Sequence, residues 1–184
     1  LIKDVCESHG ATHNGQKVGG FGLISNFSFF YAHHMSTIEG GMICTNDNKI
    51  YQQARILRSH GMVREANDET IKENYYKENP DLHPDFIFAF PAYNVRNTEI
   101  GGIMGLSQLK RLDENIERRT VNFHRFLSQI NSEFYRTDFK LEGSSNYAFN
   151  LILKNPDNIL VSKLMKKMKG SGLEFRRGSA GGGN

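Results

Sequence analysis

FGLISNFSFFYAHHMSTIEGGMICTND, residues 21–47, decides the fold. Two short apolar runs, FGLISNFSFF and GGMICTND, bracket a polar insert that carries Ser28, His33, His34 and Glu39. Runs of this length, rich in aromatic and β-branched residues and bounded by Gly and Asp, read as buried strands. Upstream, LIKDVC at residues 1–6 is a third strand of the same kind. Downstream, Asp47 is placed to cap a helix with Ile50, Ala54 and Leu57 on its inner face and Gly61 as its stop. Short strands alternating with helical patterns predict an α/β fold, a mostly parallel sheet flanked by helices.

Residues 62–90 are polar and then aromatic, ending in HPDFIFAFPAYN, and they carry no clear period. So long an irregular stretch is disordered or functional. Phe86, Phe88, Phe90 and Tyr93 argue against disorder, because exposing that much aromatic surface is unfavourable. From Thr98, the apolar residues Ile100, Ile103, Leu106, Leu109, Leu112 and Ile116 recur at helical spacing, continuing more loosely to Ile130. They predict one long helix with a bend. A strand NYAFNLILK, a helix over Ile159–Lys169 and a strand LEFRR then make a small α+β unit. The division is placed near residue 120, giving a first domain over 1–120 and a second over 121–184. The chain opens at Leu1 inside an apolar run and closes in GSAGGGN, which reads as a linker or a truncated loop, so both ends look cut.

Composition excludes several classes. The net charge of +3 is spread through the sequence, too weak for a nucleic-acid footprint, which needs clustered Lys and Arg. The densest basic group, Lys163 to Lys169, reads as a solvated helix face or a contact for an acidic partner. Cys6 and Cys44 stand in apolar stretches without paired spacing, so no disulfide framework and no four-thiolate metal or iron–sulfur site is expected, and the setting is reducing and cytoplasmic. No apolar run approaches the roughly 20 residues of a membrane span.

On pattern alone His33 and His34 are either a partly buried structural pair or the chemistry of a ligand-holding loop. Asp4, in an apolar strand, is either a surface carboxylate at a strand end or the partner of a cation. Metal binding through His33, His34, His60 and Cys6 or Cys44 finds no HxxxH or CxxC spacing, and no metal is expected.

Three ordered blocks over about 110 residues carry a resemblance. LIKDVCESHGATHNGQKVGGFG (1–22), SFFYAHHMSTIEGGMICTND (28–47) and YNVRNTEIGGIMGLSQLKRLDE (93–114) are similar to successive blocks of the DegT/StrS family of sugar aminotransferases. The resemblance implies the fold type I architecture of pyridoxal phosphate enzymes. The chain would then hold the later half of the large coenzyme domain and the start of a small C-terminal domain, with the N-terminal phosphate loop outside it.

The resemblance also assigns roles. Asp4 would pair with the protonated pyridine nitrogen, keeping the ring an electron sink. Ser28 would bond the coenzyme phosphate, and Asn94 would reach the phosphate bound by a neighbouring subunit, which implies a homodimer. Glu7 stands near the ring's 3-hydroxyl, where the family usually has Gln. His33, six residues before Glu39, occupies the position of the family's Schiff-base lysine. An imidazole cannot form the stable covalent link that a primary amine forms, so the coenzyme would be held non-covalently, with pyridoxamine phosphate as its working form.

This exchange marks a branch of the family, the nucleotide-sugar 3-dehydratases of deoxysugar and O-antigen biosynthesis. With too few cysteines for the iron–sulfur type, the chain resembles the type acting on GDP-4-keto-6-deoxymannose. Glutamate would restore the amine. His33 would act as general base and then acid, its ordinary pKa near ~6.5 leaving it partly neutral. His60 and Arg64, in RSHGMVRE, are candidates for sugar contact, with a helix-end role for His60 as the alternative. Arg176, with Arg177, is a candidate for the nucleotide diphosphate or an exposed strand arginine. Phe86, with Phe88, lines the sugar site or packs in the core. An ordinary sugar aminotransferase would need another amine, and Lys49 lies too far along the chain to serve easily. A non-catalytic relative would have no use for Asp4, Ser28 and Asn94 together.

Overall fold

A computed structural model describes residues 1–178 of the chain. They gather into two units: Leu1–Arg125 with Lys140–Phe149, and Phe126–Phe139 with the chain from Asn150 onward. The first unit opens with β1 (Ile2–Asp4), β2 (Thr12–His13), β3 (Gln16–Lys17), β4 (Ile24–Ser28) and β5 (Gly41–Cys44). It continues through α1 (Asn48–Leu57), α2 (Glu69–Glu78), α3 (Glu99–Leu109) and most of α4 (Leu112–Gln129). The second holds the end of α4 and α5 (Asn158–Gly170).

The sheet has the order β1-β4-β5. β1 runs parallel to β4, with Ile2 opposite Ile24 and Asp4 opposite Asn26. A parallel neighbour needs a long return connection. Residues 5–23 supply it, carrying the β2–β3 hairpin, whose Asn14 and Gly15 both adopt positive φ as a tight primed turn requires. β5 runs antiparallel to β4, Ser28 opposite Gly41, because the loop over residues 29–40 folds straight back. These three expected strands are thus present in an α/β fold, with the sheet mixed at β5, but β1 and β5 are not buried as expected: Ile2, Met42 and Ile43 are exposed.

Asp47 caps α1, its carboxylate accepting from the Ile50 amide at 3.0 Å. The buried face of α1 is not the expected one. Gln52 and Ile56 are buried, whereas Leu57 is exposed. Gln52 turns inward because its Oε1 accepts the Asn67 amide at 2.7 Å, satisfying both groups. After α1, His60 and Gly61 both take positive φ, and a Cβ at Gly61 would run into the Phe90 carbonyl oxygen.

Residues 62–90, expected to be irregular, contain α2, started by Asp68 accepting from the Thr70 amide at 2.9 Å. No residue of α2 is fully buried and only Ile71, Lys72, Tyr75 and Tyr76 are partly covered, so the apolar period in its sequence is weak. The aromatic residues there do not form a core. Phe86, Phe88 and Tyr93 are exposed, and the buried apolar residues of this part are Val63, Ala66 and Ile87.

The long helix is two helices, α3 and α4, broken at Lys110–Arg111. Thr98 caps α3 by accepting from Gly101 N. The α3 stripe of Ile100, Ile103, Leu106 and Leu109 is exposed, at 71, 71, 66 and 55%. On α4, Phe123 is buried and stacks on Phe149 with 6.0 Å between ring centres.

NYAFNLILK and LEFRR do not form strands. The first divides between the units after Phe149, and its Leu153 makes a single bridge to Tyr135. A strand needs a neighbour to complete its ladder. α5 matches the expected helix, capped by Asp157, which accepts from the Leu160 amide at 2.7 Å. The reading of GSAGGGN falls, from Ser179 on, outside the described residues. Among the described residues no helix is long and apolar enough to cross a membrane.

Candidate active site

Asp4 and Ser28 both stand at the carboxyl ends of the parallel strands β1 and β4, Asp4 opposite Asn26 and Ser28 two residues further on, where open α/β sheets hold ligands. Asp4 Oδ1 accepts from the Cys6 amide at 3.1 Å and from Asn26 Nδ2 at 3.1 Å. The Cys6 thiol and amide, with lesser help from Asn26 and the charge of His33, hold the Asp4 carboxyl below its usual range against the cost of desolvation. Asp4 is therefore an exposed, firmly anionic group. The neighbouring Cys6 thiol is pushed up to about 11 by burial and by Asp4, so it stays a thiol.

The loop after β4 is pinned at its base. The Phe29 amide donates to Gly40 O and the Thr37 amide to Phe29 O, both at 2.9 Å. Within it Ile38 takes φ of 72°, a conformation that β-branched residues avoid. The pinning brings His33 back over β4, with its Nδ1 3.2 Å from the Ser28 carbonyl oxygen. A carbonyl only accepts, so Nδ1 carries the hydrogen and the lone pair of the neutral ring lies on Nε2. Nε2 faces Glu7, whose Oε1 is 3.8 Å away, and the His33 side chain is 9% exposed. The basic nitrogen of His33 thus faces a carboxylate, and the ring is fixed from the other side.

The adjacent histidines have separate roles. His34 is buried and its Nε2 bonds the Ser145 carbonyl oxygen at 2.9 Å. Burial lowers its pKa, and so it stays neutral. A third histidine, His9, is 3% exposed, with neither ring nitrogen bonded to the protein. Burial, and then the charges of His34 and His33, lower it to about 4. Its ring centre lies 6.4 Å from that of His33 and 5.8 Å from that of His34, with Phe27 and Phe29 beside it. Tyr147 packs against both His33 and His34, at 5.7 and 5.9 Å between ring centres. His9, Asn26 and Tyr147 carried no sequence signal, and Cys6 was singled out only as a metal-ligand candidate, because their relation to His33 and Asp4 is tertiary.

Of the remaining candidates, Ser28 Oγ accepts from the Phe30 amide at 3.3 Å. Asn94 is exposed and pairs through its backbone with Ser59. His60 is exposed beyond the end of α1, its amide donating to Tyr93 O at 2.6 Å. Arg64 lies over the Phe86 ring at 5.8 Å, so these two form a contact of their own. Arg176 is exposed in the second unit. Among the described residues no group of three or more His, Cys, Asp or Glu side chains is placed to hold a metal ion.

The chain is 36% identical over 177 residues to the GDP-4-keto-6-deoxy-D-mannose 3-dehydratase of Escherichia coli O55:H7, covering 96% of this chain and 45% of that protein. The solved structure of the E. coli GDP-4-keto-6-deoxy-D-mannose-3-dehydratase with bound hydrated PLP superimposes with a TM-score of 0.80 at 32% identity, covering 96% of this chain and 45% of the other. A structure of GDP-4-keto-6-deoxymannose-3-dehydratase with a trapped PLP-glutamate geminal diamine matches with a TM-score of 0.74 at 29% identity, covering 93% and 44%. The chain thus spans about 45% of the length of the relatives it matches. The family model for the DegT/DnrJ/EryC1/StrS aminotransferases matches residues 1–177, and the chain belongs to that family.

Proposed function

We propose that the protein is a pyridoxamine phosphate-dependent 3-dehydratase acting on a nucleotide-linked 4-keto-6-deoxy sugar, with GDP-4-keto-6-deoxymannose as substrate and glutamate as amine donor. The observation that carries this reading is His33: an imidazole in place of the family lysine, its Nδ1 on the Ser28 carbonyl and its Nε2 open toward Glu7. The relatives named above support the substrate and the coenzyme.

The donor set fits that coenzyme. Asp4, anionic through its Cys6 and Asn26 bonds, suits a protonated pyridine nitrogen, and Ser28 offers a hydroxyl to the phosphate. When bound, the group supplies the amine that condenses with the sugar ketone and the ring that withdraws electrons. His33 Nε2 takes up a proton as general base and returns one to the departing hydroxyl at carbon 3. Glu7 stabilises the charged ring between the two events. Lacking a primary amine, His33 moves protons without competing for the coenzyme.

We further propose a homodimer in which Asn94, exposed here, reaches the partner's coenzyme phosphate. The uncovered apolar stripe of α3 supports association, since each such side chain gains about 1.5–3 kcal/mol when buried. Residues 1–120 would belong to the coenzyme domain and 121–184 to the C-terminal one. His60, Arg64, Phe86 and Arg176 are proposed sugar and nucleotide contacts. The two free cysteines, Cys6 and Cys44, favour a cytoplasmic setting.

The test is a product assay. Purified protein, pyridoxal phosphate, glutamate and GDP-4-keto-6-deoxymannose should yield ammonia, 2-oxoglutarate and the 3-deoxy sugar. A 4-amino sugar as product overturns the proposal in favour of an aminotransferase.

A further inference from the structure

We infer that Asn26 is a positioning residue for the coenzyme: its carboxamide, bridging Asp4 and Cys6, holds the Asp4 carboxylate by one oxygen and leaves the other for the pyridine nitrogen. The inference rests on the part of the proposed function that sets Asp4 against that nitrogen.

Asparagine is depleted in strands, because its side chain competes for the backbone. Asn26 nevertheless stands in the middle of β4, opposite Asp4 on one side and Ile43 on the other. Strand alternation puts it on the same face as Ser28. Its side chain is used across the sheet: Nδ2 lies 3.1 Å from Asp4 Oδ1 and 3.3 Å from Cys6 Sγ. A carboxylate oxygen only accepts, so the amide nitrogen of Asn26, and not its oxygen, faces Asp4.

Asp4 is exposed, and an exposed carboxylate turns freely unless donors hold it. Two N–H donors do so. The Cys6 amide, at 3.1 Å and two residues on, closes the local turn that Asp favours. The Asn26 bond is the tertiary one, and the Val5 amide, donating to Asn26 O at 2.9 Å, ties the two strands together at this level. Both donors fall on Oδ1 and neither uses Oδ2. A carboxylate fixed in this way meets an incoming N–H already oriented, which lowers the ordering cost of binding.

A neutral donor suits the task. Lys or Arg in place of Asn26 would also hold Asp4, but its positive charge would compete with the protonated ring nitrogen for the same anion. The third member of the bridge is neutral as well, since the Cys6 thiol is pushed up to about 11 by burial and by Asp4. The negative charge of Asp4 is thus left to the ring.

A double-substitution cycle tests the inference, with pyridoxamine phosphate as the probe and equilibrium dialysis as the readout. Asn26→Leu removes the donor at similar volume, and Asn26→Ala removes it without adding apolar bulk. Each should weaken pyridoxamine phosphate about tenfold, as expected for a lost bond to a charged group. In the Asp4→Asn background the same substitutions should change binding by less than about twofold, because Asn26 acts through Asp4. In the coenzyme-free protein, the carboxyl titration of Asp4 followed by carbon-13 NMR should move upward in Asn26→Ala, since a donor to the charged form is lost. Cys6 and His33, the titratable groups that act on Asp4, are unaltered by the substitution. Equal losses in both backgrounds, or an unmoved Asp4 titration, overturn the inference. If the losses depend on Asp4 but the protein makes a 4-amino sugar, the role of Asn26 stands and the dehydratase reading falls.

Discussion

The buried His9 should make the protein sensitive to mild acid, and replacing it by Phe should remove that sensitivity. His9 is 3% exposed among Phe27, Phe29, His33 and His34, and its pKa falls from 6.5 to about 4. In the unfolded chain the ring takes a proton as pH falls through 6.5, whereas in the fold it stays neutral until about 4. The unfolded state therefore binds more protons across this window, and stability, complete above pH 6.5, is lost as pH falls toward 4. At 1.36 kcal/mol per pH unit the loss is about 3 kcal/mol, a large part of an ordinary domain's stability. Urea unfolding followed by circular dichroism at pH 7.5, 6.5, 5.5 and 4.5 measures it. In His9→Phe the fall across these pH values should shrink by about 2 kcal/mol. Any packing change from the larger ring shifts all points equally and leaves the slope readable. Equal slopes for wild type and His9→Phe would falsify the assignment of a His9 that stays neutral in the fold until about pH 4.

Four further outcomes follow from the same geometry. His33→Lys should let borohydride fix pyridoxal phosphate covalently, seen as a mass increase absent from the wild type, while 3-deoxy sugar formation is lost. Asp4→Asn removes the anion proposed to face the ring nitrogen and should weaken coenzyme binding about 10–100-fold by equilibrium dialysis, as expected for a charge-assisted bond. Gly143→Ala meets both a φ of +74° and the Thr12 carbonyl oxygen, so it should destabilise by roughly 2 kcal/mol or more and free the segment over residues 140–149, read by faster amide exchange. Ile38→Gly relieves a left-handed φ at an exposed side chain and should raise stability by about 1 kcal/mol in the same urea experiment.

The strands LIKDVC, FGLISNFSFF and GGMICTND and the cap at Asp47 were legible because each rests on local pattern, a short apolar run or one side chain reaching an amide three residues on. α2 was not legible, since a helix with no fully buried residue carries only a weak apolar period. NYAFNLILK had the pattern of a strand without a partner to pair with, and pairing is a property of the fold. The α3 stripe carried a clear helical period, yet its side chains are exposed: periodicity fixes which residues share a face, and only packing decides whether that face is covered.

For the site, residue type and order left His33 and His34 undecided, and it was the resemblance of the ordered blocks, with His33 six residues before Glu39, that singled out His33 with Asp4 and Ser28 as the proposed reacting set. The tertiary structure decided everything that depends on distance. It separated His33 from His34, sending one ring toward Glu7 and the other to the Ser145 carbonyl, and it set His9 behind them without a hydrogen-bond partner. It also brought Tyr147, more than a hundred residues along the chain, against His33. Protonation state and tautomer are set by neighbours within a few ångströms, and in this protein those neighbours come from segments far apart in sequence.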